Sequence, residues 1–282
     1  MSCKNKVMVY ESKAEALYVV GDVHGEFDAF AAFLKRYRFE DTDFIIAGDC
    51  GFGFSSLDFE KKTMIRNVNR YCLDHNCNVY MIRGNHDDPK RFDGKQINLT
   101  HIHAIPDYSL IVYNKGIGTV KNILCIGGAI SIDRMNRMVG MRKRAEQYVR
   151  YHAGCSLLEA ENKLNRSWWE DEPPVFKPEL IDAVTDYYRI TTVVSHNCPG
   201  FANPSMTDIS AFLKADPTLK ADIDTEQETF TKIFNYIKEK GQPLDCWYYG
   251  HHHLHKTAEI HKTIFTCLDM VRNGKPDAVE IV

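Results

Sequence analysis

Ala16–Gly25 reads ALYVVGDVHG: a short apolar run, a glycine, then Asp22 and His24 set two residues apart before a second glycine. A run of this length, rich in β-branched and aromatic side chains, is the pattern of a strand buried on both faces. The glycines fit a chain that leaves its strand in a tight turn and lets a ligand approach the backbone. In an extended segment Asp22 and His24 project to the same side. A carboxylate oxygen beside an imidazole suits a divalent cation from the middle of the first transition row. One such pair is weak evidence, so its weight depends on repetition.

The pattern is repeated. DFIIA (43–47) leads into GDCG with Asp49, and NVYMI (78–82) into Arg83 and then GNHDD with Asn85, His86, Asp87 and Asp88. TTVVS (191–195) runs into His196, and CWYY (246–249) into GHHH with His251, His252 and His253. Carboxylate, amide and imidazole groups thus collect at the carboxyl ends of strands, where open α/β sheets place their ligands. Turn and cap chemistry explains any one of these residues taken alone. It does not explain five ordered clusters.

Helical periodicity lies between the first strands. EFDAFAAFLKRY (26–37) sets Phe27, Phe30, Ala31, Leu34 and Tyr37 on one face, and DFEKKTMIRNVNRYCLDHN (58–76) does so with Phe59, Ile65, Val68 and Cys72. Alternating strand and helix predict an α/β fold. Residues 141–189 read as helices interrupted by WWEDEPP (168–174), and DTEQETFTKIFNYIKEKGQ (224–242) as a helix closed at Gly241. The C-terminal stretch reads as strands with a hairpin turn at Asn273-Gly274. With no repeat, linker or low-complexity tract, residues 1–282 are expected to form one domain, with helical insertions at about 131–190 and 200–240.

Composition narrows the class. The formal net charge is −3, which gives no strong nucleic-acid signal, although RMVGMRKRAEQYVR (137–150) is locally basic. Nine cysteines, Cys3 among them, are scattered without C-x-x-C spacing and read as reduced thiols. No stretch approaches the ~20 apolar residues of a membrane span. The opening MSCKNKVMVY lacks the apolar core of a signal peptide. The expectation is an intracellular, cytoplasmic protein without membrane partners.

These segments resemble the calcineurin-like metallophosphoesterase superfamily, whose motifs run D-x-H, G-D, G-N-H-D/E, H and G-H-x-H in that order. The resemblance spans Gly21 to His253. It implies a four-layer α/β/β/α sandwich with two central mixed sheets, and a centre of two divalent metal ions, Mn²⁺, Fe or Zn²⁺. Asp22, His24 and His253 would bind the first metal, Asn85, His196 and His251 the second, and Asp49 would bridge them. The implied reaction is attack of a metal-bridging hydroxide on the phosphorus of a phosphomonoester, with His86 as general acid. A small phosphorylated substrate is expected, with nucleotides and phosphoproteins inside the range.

Two departures bear on substrate. GDCGFGF (48–54) has Phe52 and Gly53 where the protein Ser/Thr phosphatase branch has Asp and Arg in G-D-x-x-D-R-G. GHHH points to branches that include phosphodiesterases and nucleases, so a nucleotide or nucleic-acid diesterase is the alternative enzyme. A catalytically silent scaffold is the non-enzymatic one. In GGAISIDR (127–134), Arg134 either binds a substrate phosphate or pairs with Asp133 or another carboxylate. WWEDEPP forms either a lid wall or a loop pinned by buried tryptophans. If extended geometry persists past Tyr249, His251 and His253 share a side, while His252 is structural or solvent-facing and His255 reaches at most the rim. Asp87 and Asp88 are expected to cap a helix or orient His86, and Cys50 and Cys198 to be packed thiols.

Overall fold

The computed structural model describes residues 7–116, 120–204 and 208–282. Of the stretches read above, residues 1–6, Cys3 among them, and residues 205–207 of the second expected insertion lie outside them. The strands are β1 Val9–Ser12, β2 Ala16–Val20, β3 Thr42–Ile46, β4 Asn78–Met81, β5 Ile102–Ala104, β6 Ser109–Asn114 and β7 Val120–Ile126. They continue with β8 Thr192–Ser195, β9 Cys246–Tyr249, β10 Lys256–Ile260, β11 Thr263–Cys267 and β12 Ala278–Glu280. The helices are α1 Phe27–Tyr37, α2 Leu57–Phe59, α3 Arg66–His75 and α4 Arg134–Tyr151. After these come α5 Leu157–Lys163, α6 Pro178–Thr185, α7 Ser210–Ala215 and α8 Leu219–Glu239.

Two mixed sheets form the centre. One runs β1-β6-β7-β8-β9-β11-β10 and the other β12-β2-β3-β4-β5, each with parallel interior pairs and at least one antiparallel pair. Period-two alternation makes the layers. Leu17 and Val19 of β2, Ile45 of β3, Tyr80 of β4, Ile123 and Cys125 of β7 and Tyr248 of β9 meet in the core between the sheets. Their neighbours face outward: Val20, Phe44, Ile46 and Met81 pack against Phe30 and Leu34 of α1 and Val68 and Cys72 of α3. On the other side Leu124, Val193, Trp247 and Tyr249 pack against α6 and α8 through Ile181, Val184, Phe230 and Ile233. The architecture is the four-layer α/β/β/α sandwich. Both faces of each central strand are covered, which is why the strands read as continuous apolar runs rather than as alternation.

Two positions depart from the helical reading. Phe59 is 47% exposed, because α2 passes into a π-helical turn at Glu60–Met64 and the phase shifts before α3 begins. Glu60 is buried in its place, paired with Arg91 at 2.8 Å and accepting the Gly53 N–H. Tyr37, the last residue of α1, is exposed and leans on Phe33 and Phe39. The segment between β7 and β8 holds α4, α5 and α6, and that between β8 and β9 holds α7 and α8. Asn273 and Gly274 both have positive φ and close the Arg272–Lys275 bridge, as the hairpin reading expects. The eight described cysteines are free thiols, and among the described residues no helix is long and apolar enough to cross a membrane.

Ile45 is fully buried between the sheets, so Ile45→Ala is expected to lose about 2–5 kcal/mol of unfolding free energy. Tyr187→Ala, at an exposed position, should stay within about 0.5 kcal/mol of the parent. Urea denaturation distinguishes the two.

Candidate metal centre

The carboxyl ends of β2, β3, β4, β8 and β9 bring the motif residues to one place. Asp22 and Asp49 are buried, and imidazoles surround them. Oδ2 of Asp22 lies 3.2 Å from His253 Nε2 and 3.8 Å from His24 Nε2. Oδ2 of Asp49 lies 3.6 Å from His24 Nε2, and its Oδ1 is 3.2 Å from His196 Nε2 and accepts the His86 N–H at 2.7 Å. On the far side of Asp49, Asn85 Oδ1 meets His196 Nε2 at 3.0 Å and His251 Nδ1 at 2.9 Å. All seven expected ligand residues therefore converge, with Asp49 next to both sets.

Several groups orient these side chains. His196 Nδ1 donates to the Ala47 carbonyl at 2.8 Å, which turns Nε2 inward toward Asp49 and Asn85. Asn85 Nδ2 donates to Ser131 Oγ, which donates to buried Glu172, so the amide oxygen is the atom presented to the centre. The backbone N–H of His251 donates to both oxygens of Asp22 at 3.1 Å. Close approach explains the glycines: a Cβ at Gly48 would stand 2.3 Å from the His196 ring, and one at Gly250 2.0 Å from Asp22 Oδ1.

The alternation argument fails in its premise. His24, Asp49, His251 and His253 all have positive φ, between 48° and 68°, so the chain is not extended at either histidine pair. Left-handed backbone at non-glycine residues costs of order 1–3 kcal/mol each and persists where surroundings over-determine it. His251 and His253 reach the centre by these turns. His252 is not solvent-facing: its Nε2 meets Asn197 Oδ1 at 2.9 Å and its ring lines the adjoining cavity. His255 pairs with Asp277 at 2.7 Å, away from the other rings.

The donor set fits divalent metal. The ligand atoms of Asp22, His24, Asp49 and His253 lie within 4.8 Å of one another. His24 Nε2 and His253 Nε2 face each other at 3.1 Å, and neighbouring ligands about 2.1 Å from one cation stand about 3.0 Å apart. Two buried carboxylates also require positive charge nearby. Burial alone would strip His196 of its proton, yet Asp49 and Asp22 raise it to about 10. Burial likewise works against ionisation of Asp49, and His196, His86 and His24 overcome it and hold that carboxyl well below the usual range. His251 is pushed down, first by burial and then by the neighbouring imidazoles.

Beside the centre lies a cavity of about 550 Å³, lined by Asp49, Asn85, His86, His251 and His253 on one side and by parts of the two helical segments on the other. Burial lowers the His86 imidazole to about 4. Arg134 does not line this cavity: it is tied to Asp216 at 2.6 Å and Asp222 at 2.5 Å. The guanidinium at the cavity is that of Arg137, one turn further along α4, whose Nη2 lies 2.5 Å from His86 Nε2. Asp87 accepts backbone N–H groups of Cys50, Gly51, Phe52 and Gly84, which ties the second and third motif loops together, and Asp88 caps the short helix at Pro89–Phe92. In WWEDEPP, Trp169 is buried against Phe54 while Glu172 supports Ser131. Arg137, Glu172 and the Asn197–Glu226 pair carry no motif spacing, so sequence reading missed their place at the site.

The calcineurin-like phosphoesterase profile matches residues 16–255, and the chain belongs to this family. A search of the curated proteins finds no match. Among solved structures, the chain is similar to a dimetal phosphatase from Danio rerio at 12% identity and TM-score 0.46, covering 90% of this chain and 87% of that one. It is similar to the phosphopantetheinyl hydrolase of Mycobacterium tuberculosis at 10% identity and TM-score 0.41, covering 91% of each. A third is GAP50, the anchor in the inner membrane complex of Plasmodium, at 12% identity and TM-score 0.40, covering 89% of this chain and 71% of that one. Likenesses this distant do not bear on substrate.

Glu226, buried behind the cavity, has its carboxyl pushed up to about 7 by burial, against hydrogen bonds from Asn197 Nδ2 and the Ile130 N–H that favour the anion. Between the ordinary value of 4.5 and about 7 the folded chain therefore keeps a proton that the unfolded chain has released. The contribution of this group to stability falls as pH rises through that window. Relative to the parent, Glu226→Gln should gain stability from pH 5 to 8, by up to about 3 kcal/mol. A pH-independent difference in denaturant midpoints would contradict this.

Proposed function

We propose that the protein is a binuclear metal-dependent phosphoesterase that hydrolyses a phosphomonoester in the cavity beside Asp49. The observation behind this reading is the convergence of Asp22, His24, Asp49, Asn85, His196, His251 and His253 at one end of the sheets, with His86 facing the same cavity. Two divalent cations, Mn²⁺, Fe or Zn²⁺, would supply an activated water and neutralise phosphoryl charge when bound. Asp22, His24 and His253 would hold one, Asn85, His196 and His251 the other, with Asp49 shared between them.

The chain itself supplies position and a proton. Asp49 fixes the backbone of His86 through its N–H, which sets the ring at the cavity wall. Burial keeps that ring neutral, and Arg137 adds to the effect. Entry of an anionic phosphate favours the protonated ring, which can then pass a proton to the leaving oxygen.

Metal-stripped protein reloaded with Mn²⁺ should hydrolyse an aryl phosphate faster than its bis-aryl ester. The reverse ratio favours the diesterase alternative, and no turnover of either ester with any first-row metal favours a silent scaffold. His86→Ala should keep its metal and lose about 10²–10⁴-fold in rate, whereas Asp49→Ala should lose metal occupancy. Undiminished rate in His86→Ala would contradict the general-acid assignment.

A further inference from the structure

Arg137 has a setting unlike that of its neighbours. Arg83 is consumed by Asp107 and by the carbonyls of residues 171–173, Arg91 by Glu60 and Gln96, and Arg134 by Asp216 and Asp222. The Arg137 side chain is 11% exposed and lines the cavity with the metal-centre residues. Its Nε is held by Asp133 at 2.7 Å, its Nη2 reaches His86, and its Nη1 makes only a long 3.4 Å contact with the Ser167 carbonyl. Of the five N–H groups on a guanidinium, two have no acceptor among the described residues. Lys220, the other cationic chain on the cavity wall, is occupied by Asp224.

We propose that Arg137 grips the non-bridging oxygens of a phosphate monoester, and that the apolar wall of Ile132, Phe212 and Ile223 receives its alcohol portion. The inference rests on the phosphoesterase reading above. A planar guanidinium presents parallel N–H groups that match two phosphate oxygens, and the Asp133 ion pair fixes its direction so that little side-chain freedom is lost on binding. The chamber of about 550 Å³ has Ile132, Phe212 and Ile223 on its surface together with Asn197 and Gln227. That suits a compact alcohol with an apolar face.

The test uses metal-loaded protein, inorganic phosphate as the binding probe, and 1-naphthyl phosphate and glycerol phosphate as substrates. Arg137→Lys and Arg137→Gln should bind phosphate about ten- to hundredfold more weakly by calorimetry. The KM of both esters should rise together while metal content stays unchanged. Phe212→Ala should bind phosphate as the parent does but lose its preference for the naphthyl ester. Unchanged phosphate affinity in metal-loaded Arg137 variants overturns the clamp, and a parent with no naphthyl preference overturns the alcohol subsite. Failure of the parent to hydrolyse either ester overturns the underlying phosphoesterase reading instead, and phosphate binding still decides the role of Arg137.

Discussion

Two carboxylates held away from water dictate the rest of this structure. Asp22 and Asp49 sit at the ends of adjacent strands with almost no exposure. An isolated buried carboxylate is far too costly to keep ionised, so it must be neutralised, paired or ligated. Here the surroundings supply imidazoles from β2, β4, β8 and β9 ends and an amide from Asn85. In this structure, against the effect of burial, the carboxylates raise the His196 imidazole to about 10, so a proton there meets part of their charge, a place a cation can take.

The fold makes this possible by placing parallel strand ends side by side. Register pairs Val20 with Ile46 and Ile46 with Met81 in one sheet, and Ile126 with Ser195 in the other. The two sheets then face each other across a shared apolar core, so loops from both arrive at one edge. Glycines at the strand exits remove the side chains that would otherwise fill the space the ligands occupy. Positive φ at His24, Asp49, His251 and His253 is the local cost of aiming short loops inward, and burial of the core offsets it.

Much of this was legible in the sequence because the central strands are apolar on both faces and their exits are polar. The α/β class and the gathering of polar residues at strand exits follow from those runs, whereas the four-layer arrangement of two sheets was implied by the family resemblance. The details that escaped have physical causes. The π-turn at Glu60–Met64 breaks helical phase, so Phe59 is exposed where a continuous helix would bury it. His252 lines the cavity because left-handed turns replace the extended backbone that alternation assumes. Arg137, Glu172 and Glu226 reach the site by tertiary packing of segments outside the strand-end motifs, so no spacing rule marks them. Arg134, singled out by its loop, is held by carboxylates of α7's end and α8.

Seven side chains converge at the strand ends, and the proposal that most needs testing is that they hold two cations, with Asp49 shared between them. Anomalous diffraction from crystals of Mn²⁺-loaded protein tests it most directly. The account predicts two peaks per chain on either side of the Asp49 carboxylate, one against Asp22, His24 and His253 and one against Asn85, His196 and His251. A single peak at saturating Mn²⁺, with none against Asn85, His196 and His251, would contradict it.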